Sequence, residues 1–312
     1  MPMIGAVIVP HPPLIIPTVG RGQERQVQAT IDAYRAAAKQ AADWKPEVVV
    51  ISSPHTVMYA DYFHISPGAG ASGSMASFGA PQTRLEVKYD TELRQELVRQ
   101  AEAAGLQAGT LGERDPSLDH GTFLPLYFLQ EAGVDCPILR IGLSGFSPLQ
   151  HYQLGQCTAK AVDRLGRRAV FVASGDLSHK LRDDGPYGYT PDGPVFDRRV
   201  TAAMASGDFL QFLTMDPALC DRAAECGLRS FQIMAGALDG LGVKPELLSY
   251  EGVTGVGYGV ATFTVTGPDE SRRFAARCEE IERARLAERK AAEDPWVRLA
   301  RLSLETYVRT GQ

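Results

Sequence analysis

Short apolar runs alternate along this chain with longer stretches in which apolar residues recur every three or four positions. Ile4 to Pro10, Val48–Ser52, Pro137–Ile141 and Arg168–Ala173 are nearly uniformly apolar, as strands buried on both faces are,. Between them the period lengthens. Gln23 to Trp44 carries Val27, Ile31, Tyr34 and Ala38 near helical spacing; Asp90–Ala104 is a helix with Asp90 as its N-cap; Ser147–Leu165 is one opened by Ser147-Pro148,. Val195–Ser206, Asp208–Leu213 and Gly227–Leu241 read as helices, Asp61–Ser66 and Arg84–Lys88 as short strands, and Pro245–Glu251 and Gly257–Thr266 as closing strands. The glycine- and serine-rich segment Gly68–Ala80 reads as a mobile loop over the site,. Strands separated by helices predict an α/β fold: a mostly parallel central sheet with helices on both faces.

That pattern fills residues 1–268, which are expected to form one catalytic domain. From 269 to 312 the character changes. Glu270 to Glu293 is dense in arginine and glutamate, Asp294-Pro295 breaks it, and Trp296 to Thr310 is amphipathic. These are expected to be a charged helical linker and a C-terminal helix that docks on the main domain, on a partner or on another copy.

Composition narrows the class. Thirty-two basic against 37 acidic residues leave a formal charge of −5, and no arginine-rich stretch alternates with aromatics, so no nucleic-acid footprint is expected,. The N-terminus lacks a basic leader and is broken by prolines, and no apolar run reaches the ~18 residues of a membrane span. The 5 cysteines (Cys136, Cys157, Cys220, Cys226, Cys278) include no Cys-x-x-Cys,. A reduced, cytoplasmic protein is expected.

Histidines carry the chemistry. His11, in Pro10-His11-Pro12-Pro13, follows the first strand; His55, in Ser53-Pro54-His55, follows the second; His179 closes Ser174-Gly175-Asp176-Leu177-Ser178-His179 after a third. Ligands of open α/β sheets bind outside the carboxyl ends of the strands, so imidazoles delivered there would share one pocket. Neutral imidazole is the commonest metal ligand, and His11 and His55 read as a ligand pair. His179 suits proton transfer near neutral pH, with Asp176 placed to orient its ring or cap a turn. His120, in Asp119-His120-Gly121, lies where Asp119 caps the next apolar helix. His64 and His151 read as structural. Two histidines call for an anionic third ligand: Glu225, Glu251 and Cys226 are the candidates, the last favouring a softer metal.

PHPPL at His11, SSPH at His55, DHG at His120, SGDLSH at His179 and ECGLRS at Glu225 together resemble the LigB-type class III extradiol ring-cleavage dioxygenase superfamily, nearest to its Memo-like branch, AmmeMemoRadiSam system protein B. The resemblance spans roughly Met1 to Thr266. It implies a non-haem Fe(II) held by His11, His55 and Glu225, with His179 as acid/base and His120 assisting substrate or oxygen. The implied activity is opening of a catechol-like aromatic ring with O2. In the Memo-like branch the third ligand is a cysteine, which matches Cys226, and copper is the metal thought to suit that set. A metal-binding redox protein (copper or iron) without ring cleavage is therefore the alternative, and a zinc hydrolase a third. The tail from Asp294 resembles the opening of an AMMECR-type domain, implying a partner domain of that type or a homo-oligomer.

Overall fold

The computed structural model describes residues 2–311. In chain order its strands are β1 (Met3–Val9), β2 (Val48–Ser53), β3 (Phe63–His64), β4 (Gly70–Met75), β5 (Ala80–Lys88), β6 (Ala108–Gly109), β7 (Ile138–Gly142), β8 (Ala169–Ser174), β9 (Leu241–Glu251) and β10 (Tyr258–Pro268). The α-helices are α1 (Pro17–Gly20), α2 (Gln28–Asp43), α3 (Thr91–Ala103), α4 (His120–Glu131), α5 (Pro148–Arg164), α6 (Asp192–Ser206), α7 (Leu210–Leu213), α8 (Pro217–Ala223), α9 (Leu228–Ala237), α10 (Ala275–Ala291) and α11 (Pro295–Thr310). Local signals set several helix starts. Asp90 accepts from the Leu93 amide, Asp119 from Thr122, and Ser147 forms a capping box with Gln150. Each such cap typically contributes about 1 kcal/mol.

The central sheet has the order β7-β2-β8-β1-β10-β9. Its first four strands are parallel, and β10 and β9 close it antiparallel. Alternate side chains feed two cores. Ala6, Ile8, Val48, Val50 and Phe171 pack with helices α3, α5, α6 and α9. Val7, Val9, Val49, Ile51 and Val172 pack with α2 and α4 on the opposite face. The expected sheet with helices on both faces is the fold observed.

Because β1, β2, β7 and β8 run parallel, their carboxyl ends share one edge. His11, His55, Ser144 and the Asp176–His179 segment all emerge there.

Two expectations need correcting. Gly68–Ala80 is not a loop: Gly70–Met75 pairs antiparallel with β5, and a 3-10 turn at Ala76–Phe78 joins the two strands. Its small residues reflect close packing, since a Cβ on Gly73 would sit 2.8 Å from the Leu118 side chain. The Asp61–Ser66 strand shrinks to Phe63–His64, paired with β6.

Beyond the sheet, Phe274 and Cys278 at the start of α10 are buried in the first of the two cores. No residue of α11 is buried. It is tied to α10 by Lys290, which donates to Glu305, and to the link after α10 by Arg301, which donates to both carboxylate oxygens of Glu293. Its apolar residues Trp296, Leu304 and Val308 face solvent.

Candidate metal centre

His11 lies immediately past β1, where flanking prolines fix the backbone,. Its amide donates to Asp176 Oδ1 at 2.8 Å, and its ring Nδ1 lies 2.9 Å from Ser174 Oγ. The two contacts aim Nε2 outward, toward His55 Nε2 at 2.9 Å and Cys226 Sγ at 3.6 Å. All three donor atoms lie within 4.8 Å of one another. His120, the first residue of α4, completes the cluster: its ring centroid is 4.0 Å from that of His55 and 5.3 Å from that of His11. Burial pushes the His11 ring down to about 3, helped by His55, and His120 down to about 4, helped by His11. Burial and His120 lower His55 as well. The imidazoles are therefore neutral at pH 7, the form that binds a cation.

Cys226 arrives by a backbone device. Gly175, after β8, and Gly227 press so closely that a Cβ on Gly175 would lie 2.1 Å from Gly227 Cα. The Gly227 amide donates to the Asp176 carbonyl at 3.0 Å, and the Asp176 amide meets Cys226 Sγ at 3.3 Å. Burial, with the Asp176 charge added, holds the Cys226 thiol well above its ordinary range, so without a cation it is protonated.

Glu225, expected to supply the carboxylate, is not brought to this cluster. Its Oε2 accepts from the Leu228 amide at 2.7 Å, capping α9, and the side chain lines a separate cavity with Cys220, Arg229 and Gln232. Consecutive residues of a turn point apart, so one chain position separates the sulfur facing the histidines from the carboxylate turned away. Burial raises Glu225 to about 7. Glu251 is equally remote, with Oε2 accepting from Thr30 on α2. Among the described residues, the other group of donor atoms within 4.8 Å is Asp176, His179 and Cys226.

His179 Nδ1 sits 2.5 Å from the Ala224 carbonyl. A carbonyl only accepts, so Nδ1 carries a proton, and in the neutral ring the lone pair lies on Nε2. Tyr187 meets the ring edge-on at 5.1 Å. Phe78, at the tip of the β4–β5 hairpin, does the same to His120 at 5.5 Å. The segment read as a loop thus reaches the site as the end of a paired hairpin.

Behind the cluster lies a charged knot that the sequence reading missed. Arg140, inside β7, donates to Asp119 Oδ2 at 2.9 Å and lies 3.7 Å from Glu113. Glu113 Oε1 in turn takes Ser66 Oγ at 3.0 Å and lies 3.4 Å from His64 Nε2. Burial pushes the Asp119 carboxyl up, but Arg140 and hydrogen bonds from Ser53 and Thr122 outweigh it and hold the carboxyl below its usual range. The available signal was an arginine inside the apolar run Ile138-Leu139-Arg140-Ile141, since a charge there demands a buried partner,.

Converging imidazoles and a thiol at one sheet edge are a donor set that could hold a metal ion, and the chain belongs to the LigB family: residues 5–261 match the model of the catalytic LigB subunit of aromatic ring-opening dioxygenase. A Clostridium acetobutylicum protein whose name states no activity is 37% identical over the whole of this chain and 68% of its own length. The 2-aminophenol 1,6-dioxygenase beta subunit of a Pseudomonas species is 24% identical, covering 84% of this chain and 94% of that one. The 3,4-dihydroxyphenylacetate 2,3-dioxygenase of Escherichia coli is 24% identical over 62% of this chain and 74% of its own. The crystal structure of an uncharacterized protein from Escherichia coli K12 shares the fold, with a TM-score of 0.53 at 17% identity, over 83% of this chain and 99% of that one. No helix among the described residues is long and apolar enough to cross a membrane.

Proposed function

We propose that this protein is an iron-dependent extradiol-type dioxygenase that opens a catechol-like ring with O2, its metal held by His11, His55 and Cys226. The observation that carries this reading is the convergence of those three donor atoms within 4.8 Å, in a chain of the LigB family. The donor chemistry fits a divalent ion. His11 and His55 offer neutral nitrogens, Ser174 holds the far side of the His11 ring, as ligand histidines require, and a Cys226 thiolate supplies the single negative charge first sought in Glu225. When bound, such a metal supplies the electron path between an aromatic diol and dioxygen.

The chain's own groups do the rest. His179, with Nδ1 engaged by Ala224, presents Nε2 to take a proton from a diol hydroxyl and later return it; such a base contributes ~10² to 10⁴ in rate. His120 stands beside the ligand rings, where it can hydrogen-bond a substrate oxygen. Phe78 and Tyr187 wall the approach and restrict water.

The test is anaerobic loading with Fe(II), then oxygen uptake and a yellow ring-opened product across a catechol panel. His179→Ala should keep its metal and lose turnover by ~10² or more. Full turnover in that variant, or no uptake with any catechol by iron-loaded wild type, overturns the reading.

Cys226 favours a second reading. Thiolate suits softer metals, and a metal-binding redox protein, with copper or iron and no ring cleavage, uses the same three donors. Metal analysis of protein purified without added metal separates iron, copper and zinc.

A further inference from the structure

Asp119 makes more contacts than its place in the fold requires. It is the N-cap of α4, and a cap needs one acceptor for one amide. Thr122 fills that role, its amide donating to Oδ1 at 2.9 Å. Oδ2 takes Thr122 Oγ1 at 2.7 Å and Arg140 Nη2 at 2.9 Å. The remaining bond leads to the segment that carries His55. Ser53 Oγ, at the end of β2, donates to Oδ1 at 2.6 Å.

The Ser53 hydroxyl is committed at both ends. Its oxygen accepts from the His55 amide at 3.2 Å, and its proton goes to Asp119. A chain with one direction results, from the His55 N–H through the Ser53 hydroxyl to the Asp119 carboxylate. A charge at its end strengthens the bond it accepts and polarises the one before. Arg140 and the hydroxyls keep that carboxyl ionised although it is buried. The first turn of α4 is seated on the same segment: a Cβ on Gly121 would lie 2.5 Å from Ser53 Oγ and 3.2 Å from His55 Cδ2.

His55 needs this support more than His11 does. His11 is buried, with its ring Nδ1 on Ser174 Oγ. His55 is exposed, and its Nδ1 has no hydrogen-bond partner among the described residues. The fold therefore holds the first ring directly and the second through its backbone.

We propose that Asp119 is a positioning residue of the metal site: through the Ser53 hydroxyl it fixes the backbone of His55, and with it the ring that faces His11. This rests on the reading of His11, His55 and Cys226 as the ligands.

The experiment titrates the full chain, stripped of metal, with Co(II) under anaerobic conditions and follows thermal unfolding of the same samples. Co(II) is the probe because its visible bands follow ligand geometry and a thiolate ligand adds a near-ultraviolet charge-transfer band. Wild type should bind the ion and show both. Ser53→Ala and Asp119→Asn should each bind it about 10-fold or more weakly, as loss of an outer-shell partner does, with the visible bands shifted. Thr122→Val is the control. It cuts a bond to the same carboxylate that does not lead to His55, so it should lower the unfolding temperature and leave Co(II) affinity and bands unchanged. Unchanged Co(II) binding in Ser53→Ala overturns the positioning role, whatever Asp119→Asn does. An equal loss in Thr122→Val overturns it too, because Asp119 would then act through general stability. Wild type that binds no Co(II), or binds it without the charge-transfer band, brings down the ligand reading and this inference with it.

Discussion

His11 and His64 are both buried histidines at strand ends, yet their surroundings differ in kind. Every polar atom of the His64 ring has a protein partner: Nδ1 faces the Leu111 carbonyl at 3.0 Å and Nε2 faces Glu113, itself held by Arg140 and Ser66. His11 is held through Nδ1, and its Nε2 faces a nitrogen and a sulfur, with Asp176 Oδ2 3.8 Å away. The first arrangement is electrostatically closed. The second brings together neutral donor atoms that a shared cation would join. Burial is common to both, so what separates His11 as a ligand candidate from His64 is what its outward nitrogen faces.

The largest test of that contrast is metal content. His11→Ala, His55→Ala and Cys226→Ser should each fall from stoichiometric occupancy to near zero by elemental analysis. Glu225→Gln, one position from the sulfur, should keep its metal. Full occupancy in Cys226→Ser, or loss in Glu225→Gln, would return the ligand role to the carboxylate.

Next comes the closed knot. Arg140→Met leaves Asp119 and Glu113 buried without their cation, and breaking such a pair from one side costs about 3–5 kcal/mol. Urea unfolding should show that loss. A change below 1 kcal/mol would mean that the knot is solvated and the contrast with His11 weaker than drawn.

Asp197 is the intermediate case. It is buried and accepts from Tyr250 Oη at 2.7 Å and the Ser178 amide at 2.8 Å, but among the described residues it pairs with no cation. Burial raises it from 3.8 to about 6. The folded state thus holds this proton more tightly than the unfolded chain does. The resulting stabilisation is complete below about pH 4 and is lost as pH rises through 6, on the order of 3 kcal/mol. Asp197→Asn should therefore gain stability relative to wild type between pH 4 and 7; parallel curves would refute the assignment.

Much of this was legible from residue order. The four parallel strands are uniformly apolar runs, and strand ends are where ligands gather, so His11, His55 and His179 were readable from position alone. Asp119 and Ser147 stand where caps must. The hairpin at Gly70–Met75 was hidden because glycine and serine signal turns locally, and only the approach of Leu118 explains why small residues are needed there. That Cys226 rather than Glu225 faces the histidines was equally hidden. Adjacent residues differ by a rotation of the backbone, which neither spacing nor periodicity records. The Arg140 knot joins four distant segments, and Arg140 alone left a mark in the pattern.

The backbone-to-backbone seat of Gly175 on Gly227 has a practical corollary. Since no side chain intervenes there, the sulfur's position is set by main-chain geometry. Adding even one methyl group at position 175 would lever the 224–227 turn away from His11.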